Sequence, residues 1–115
     1  MINVDINDVT ANEHIEVNNK GGKQSYIGCA FHMLPASAML AAAATAKQGA
    51  DKYGETYGNR NYLKIDKEEH LNHAINHIYN YLNGNTDEDH LAHAIVRLMF
   101  AYDMSENGAH YTQNL

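Results

Sequence analysis

Apolar and polar positions change their period several times along the chain. Ile2, Val4 and Ile6 alternate with Asn3, Asp5 and Asn7, the two-residue period of a half-buried strand. Such a strand needs a pairing partner, in this chain or another. Asn18-Asn19-Lys20-Gly21-Gly22-Lys23-Gln24-Ser25 has the composition of a flexible loop. Pro35 then opens a helix, because proline suits the first helical position. Ala36 to Lys47 is dominated by Ala, Met and Leu, all strong helix formers. That run is apolar on most sides, which predicts a central helix packed on more than one face. Gly54 and Gly58 mark its end, and Tyr53 to Ile65 reads as an irregular connection.

Two further helices follow. Asp66 with Glu69 resembles a capping box and starts a helix from about Lys67 to about Leu82. Asn83-Gly84-Asn85 ends it. Thr86 is a suitable N-cap, and Asp87, Glu88 and Asp89 suit the positive end of the next helix. That helix is expected to reach about Met104, with a polar, fraying tail from Ser105. The short link predicts an antiparallel helix hairpin. The divisions expected are an N-terminal arm and Gly-rich loop over 1–33, a helical domain over 34–104 and a polar tail over 105–115. The fold class is all-α, with about three main helices and an irregular or short-strand arm.

A doubled pattern stands out within the hairpin. His70-Leu71-Asn72-His73-Ala74-Ile75 in one helix is matched by His90-Leu91-Ala92-His93-Ala94-Ile95 in the next. Each copy follows an acidic pair and continues to a basic residue, His77 or Arg97. Positions i, i+3 and i+7 share one helix edge. His70, His73 and His77 therefore share an edge, as do His90, His93 and Arg97. Leu71, Ile75, Ile78 and Leu82 form the adjacent apolar arc, with Leu91, Ile95, Leu98 and Tyr102 its counterpart. The expectation is a donor-rich groove at the border of the core, with an apolar floor.

Composition and charge narrow the possible uses. The 115 residues include 8 His, 8 Tyr and 14 Asn. A formal charge of −6 argues against binding duplex nucleic acid or an anionic membrane. No apolar stretch is long enough to span a bilayer. Met1-Ile2-Asn3-Val4-Asp5 lacks the features of a signal peptide, so a cytoplasmic location is expected. The single cysteine, Cys29, excludes an internal disulfide framework.

Clustered imidazoles can hold a metal, but Arg97 in the place matching His77 opposes it. A hard-metal hydrolase also needs converging carboxylates. Glu68, Glu69, Glu88 and Asp89 lie at helix starts, where capping and dipole effects account for them. No metal or other cofactor is therefore expected. An anionic, phosphate-bearing ligand suits the donors better, since Arg binds phosphate oxygens in a fork. Lys23, Lys52 and Arg60 can close over phosphates, and Tyr53 or Tyr62 can stack on a base. Protonated histidines would help, so affinity is expected to fall as pH rises through about 6 to 7. Gly21-Gly22-Lys23-Gln24-Ser25 can cradle a phosphate or serve as a plain loop. Hydrogen-bonded histidines at a core border remain the structural alternative.

Leu34-Pro35, Gly49-Ala50-Asp51-Lys52-Tyr53-Gly54, Asn61-Tyr62 and the two His-Leu-x-His-Ala segments occur in that order. They resemble the small phage and bacterial dATP/dGTP diphosphohydrolase N-terminal domain, from about Lys20 to about Met104. Tyr62 stands where that family usually has Trp. The resemblance implies hydrolysis of purine deoxynucleoside triphosphates with a divalent metal, Mg²⁺ or Mn²⁺. The carboxylate quartet of all-α nucleotide pyrophosphohydrolases is absent. His-x-x-His and His-x-x-His-x-x-x-Arg stand in its place.

Taken together, these residues predict a non-catalytic binder of a nucleotide or nucleotide-derived signal. The expected ligand set is Lys23, Lys52, Tyr53, Arg60, Asn61, Tyr62, His70, His73, His77, His90, His93 and Arg97. Small phage proteins that sequester nucleotide immune signals offer an analogy of role, which would place the chain in a host cytoplasm. The alternative is a metal-dependent diphosphohydrolase. The apolar first helix and the unpaired N-terminal strand also predict a homo-oligomer.

Overall fold

The structure, a computed structural model, describes residues 13–114. The strand expected over Ile2, Val4 and Ile6 lies outside the described residues. The chain divides into two compact units, Met1–Ala36 and Ser37–Leu115.

The first unit holds a small hairpin. Strands β1 (Ile15–Val17) and β2 (Lys23–Ser25) pair antiparallel, with Ile15 opposite Ser25 and Val17 opposite Lys23. The segment expected to be a loop thus supplies both a turn and a strand. Asn18 organises the turn: its Oδ1 accepts the N–H groups of Lys20 and Gly22, each at 2.9 Å. Gly21 has φ +82°, the left-handed region that favours glycine. At Gly22 a Cβ would meet the Asn18 side-chain amide at 2.9 Å, so a larger residue there would displace that side chain from the turn. A 3-10 turn over Phe31–Met33 follows.

The second unit is helical. Helix α1 (Ala36–Tyr53) begins just after Pro35 and stops at Gly54, whose φ is +65°. A 3-10 turn, Asn61–Lys64, leads to helix α2 (Lys67–Leu82). Gly84, with φ +83°, follows its C-terminus, and helix α3 (His90–Asn114) completes the chain. Helices α2 and α3 pack as the expected antiparallel hairpin: His77 meets His90, and His70 meets Arg97 further back.

Four local expectations are corrected. Asp66 precedes α2 without a side-chain cap bond; its backbone carbonyl accepts the N–H groups of Glu69 and His70 instead. The cap of α3 is Asp89, not Thr86, with Oδ1 accepting the Ala92 N–H at 3.1 Å. Helix α3 starts later than expected and runs past Met104 to Asn114. Helix α1 is not central: Ala42 is its one buried residue, and Leu40 remains 71% exposed. Its inward stripe is Ala38, Ala41, Ala42, Thr45 and Gly49, which is the i, i+3, i+4 spacing of a helix packed on one side.

The largest correction concerns the hairpin. The expected apolar arc is mostly outside: Leu71, Ile75, Leu82, Leu91, Leu98 and Tyr102 are all exposed. The first histidine of each copy turns inward, with His70 1% exposed and His90 7%, while His77 and His93 are half-buried and His73 stays exposed. The buried apolar residues among those described are Ala42, Ala74, Ala92, Ala94, Val96 and Ala101. Alanine at the crossing lets the helices approach closely, since interaxial distance follows side-chain size. The inward stripe of each copy is therefore His followed four residues later by Ala, one turn apart on the same face.

Candidate functional site

The close approach of α2 and α3 brings the two histidine edges together. His70 lies beneath the 3-10 turn, and its Nε2 is 3.0 Å from the Tyr62 carbonyl oxygen. A carbonyl only accepts, so Nε2 carries the proton and donates it. Nδ1 is then a lone pair, and it accepts from the Arg97 guanidinium at 3.0 Å. Burial pushes the His70 pKa below its ordinary value; the Tyr62 bond opposes the shift and the Arg97 charge adds to it. A neutral His70 thus holds Arg97 by one nitrogen and is itself held by the other.

Tyr62 is committed to the wall. Its ring stacks on Phe100, with centroids 4.2 Å apart and planes 3° from parallel. Its hydroxyl donates to Asp103 at 2.8 Å. The role expected for Tyr62, stacking on a base, is thereby limited, because Phe100 occupies one face of its ring.

At the other end of the hairpin, His77 Nδ1 lies 2.9 Å from His90 Nδ1 and 3.2 Å from Glu88 Oε1. The His93 ring lies over that of His77 with centroids 4.9 Å apart. Burial lowers the His77 pKa, His93 lowers it further, and Glu88 opposes the shift. His77, Glu88 and His93 each offer one ligand atom, all within 4.8 Å of one another. His90 is buried, and its Nε2 has no hydrogen-bond partner among the described residues.

These groups line a cavity of about 370 Å³ between α1, the 3-10 turn and the hairpin. Of the residues singled out in the sequence, Lys52, Tyr53, Asn61, Tyr62, His70, His73, His77, His93 and Arg97 all reach it. Three expected residues do not line it. His90 lies behind His77. Arg60 stacks its guanidinium over the Tyr57 ring, 4.0 Å from the centroid. Lys23 belongs to the hairpin of the first unit. The apolar floor comes from Val96, Phe100, Ile65 and the alanines of α1 rather than from the leucine arc.

Glu88 and Glu55 reach the cavity without having been expected there. Glu88 occupies the place that Glu68 holds in the first copy of the repeat. Because α3 starts only at His90, Glu88 falls outside the helix and turns toward His77. The acidic pair in the sequence was the available signal, but capping accounted for it equally well. His70 and His77 are both held below their ordinary value, chiefly by burial, which disfavours their protonated forms. Arg97 on the same lining is a permanent cation.

No helix among the described residues is long and apolar enough to cross a membrane. The family described as dATP/dGTP diphosphohydrolase, N-terminal, matches residues 18–114. No curated protein and no solved structure matches the chain significantly.

Proposed function

Because the chain belongs to the family of dATP/dGTP diphosphohydrolase N-terminal domains, we propose that its cavity binds a purine nucleotide through the phosphates, with Arg97 as anchor. The observation that carries this is the Arg97–His70–Tyr62 chain of hydrogen bonds. It fixes a permanent cation on the wall of a cavity of about 370 Å³, within the usual range for small-molecule sites. His73, His93 and Lys52 supply further donors on the same lining. Tyr53 offers the aromatic surface for a base, while Tyr62 shapes the wall.

Binding can end in retention or in hydrolysis, in which water attacks a nucleoside triphosphate to give the nucleoside monophosphate and inorganic pyrophosphate. The histidine pair has a single carboxylate beside it, Glu88, whereas a Mg²⁺-dependent hydrolase uses several converging ones. That favours retention, in which the chain sequesters a nucleotide or nucleotide-derived signal, as a phage counter-defence protein would. The family description favours hydrolysis as the second reading.

Calorimetry with dATP and dGTP, in the presence of a chelator, tests the site. The expected result is one nucleotide per cavity and its recovery intact after denaturation. Absence of binding by any purine nucleotide overturns the proposal. Turnover at catalytic rates, with Mg²⁺ or Mn²⁺ supplied, replaces retention with the hydrolase reading.

A further inference from the structure

We propose that His77, Glu88 and His93 form a binding site for one borderline divalent metal ion of the zinc or cobalt type. The site goes beyond the nucleotide reading and stands without it. Three observations support it. The three residues present one ligand atom each within 4.8 Å, a span that rotation about side-chain bonds closes onto a four-coordinate ion with bonds of roughly 2.0–2.2 Å. They come from both sides of one packed hairpin: His77 from α2, Glu88 from the link and His93 from α3. All three also line the cavity, so the ion's remaining positions face open space where water or a phosphate oxygen can enter.

The donor set selects the metal. Two imidazole nitrogens and one carboxylate oxygen suit Zn²⁺ or Co²⁺, whereas Mg²⁺ demands an oxygen shell. The residues therefore fit a borderline ion and do not fit the Mg²⁺ that the family resemblance implies. Arg97 acts on His77 through its charge, which helps to lower the His77 pKa, but its hydrogen bond goes elsewhere. Its guanidinium is turned to His70, which lies two helical turns before His77 on α2. Behind the site, the Nδ1 of His90 stands 2.9 Å from His77 Nδ1 and 3.5 Å from Glu88 Oε1. With His77 binding through Nε2, its Nδ1–H donates to the Nδ1 lone pair of His90, the outer-layer support that metal sites generally carry.

Titration of the chelator-stripped protein with Co²⁺, followed by visible absorption and thermal melting, tests the site. One Co²⁺ per chain is expected, with the absorption bands of a four- or five-coordinate ion and a higher melting temperature. Zn²⁺ should displace the Co²⁺, and Mg²⁺ should not. His93→Ala and Glu88→Gln should each weaken Co²⁺ binding by about tenfold or more. Glu88 is about half exposed and lies outside the helices, so Glu88→Gln decides the matter if His93→Ala fails to fold. Arg97→Ala, which removes the nucleotide anchor and a positive charge that acts on His77, should bind Co²⁺ at least as tightly as the parent, which separates failure of one site from failure of the other. The proposal is overturned if the parent takes up no stoichiometric Co²⁺, or if Glu88→Gln binds it as tightly as the parent.

Discussion

Arg97 donates a hydrogen bond to Nδ1 of His70 at 3.0 Å, across the crossing of α2 and α3. His70 can accept it only because its Nε2–H is already given to the Tyr62 carbonyl. A buried imidazole thereby sets the direction of a guanidinium that faces the cavity.

Replacing Arg97 should affect binding directly. A hydrogen bond to a charged group contributes roughly 1.5–3 kcal/mol, so Arg97→Ala should weaken dATP or dGTP binding by about ten- to a hundredfold. Arg97→Lys keeps the charge but loses the fork, and should recover only part of the affinity. Calorimetry reads both. Parent-like affinity in Arg97→Ala would place the phosphates elsewhere.

Replacing His70 should act on both fold and binding. His70 is 1% exposed, and its loss removes a buried ring and the acceptor that orients the Arg97 guanidinium, while the Tyr62 carbonyl keeps the Ile65 N–H. His70→Ala should lower the melting temperature and also weaken nucleotide binding, because Arg97 is no longer positioned. A variant with parent stability and parent affinity would show that the relay has no role.

Acid should destabilise the protein through the same residue. The folded state holds the His70 pKa below its unfolded value of 6.5. Between the two values the unfolded chain binds the extra proton, so stability rises with pH across that window. The contribution is complete above about pH 6.5 and is lost as pH falls through the folded pKa. Melting of the chelator-stripped protein from pH 7.5 downward should show this decline, and His70→Asn should flatten it. An equal slope in the variant would assign the effect to other groups.

The exposed leucines predict self-association. The buried apolar residues among those described are five alanines and Val96, which remove little apolar area from water. Leu71, Ile75, Leu82, Leu91 and Leu98 stay outside on the hairpin, as do Met39 and Leu40 on α1. A second copy of the chain covering these faces would supply the missing burial. Light scattering at micromolar concentration should give a multiple of 12.8 kDa. Leu98→Asp should shift the mass toward the monomer or lower the melting temperature. A monomeric parent that is stable and unaffected by Leu98→Asp rejects the prediction.

Much was legible from residue order alone. Ala-rich and His-Leu-x-His-Ala segments, punctuated by Pro35, Gly54 and Gly84, specify three helices and a hairpin through propensity and breaker chemistry, both local properties of the chain. The doubled repeat likewise places His70, His73, His77, His93 and Arg97 along helix edges, because helical period follows from backbone geometry. The direction those edges face is not a local property. A hydrophobicity argument sends leucine inward and leaves histidine at the border, yet Ala74 and Ala94 make the closer contact and rotate the imidazoles into it. Glu88 joined His77 only because α3 begins at His90, after the position that capping rules would choose. Partner choice for Arg97, Tyr62 and Glu88 thus depended on interhelical distance and rotation, which arise from packing between segments and have no signature within either one.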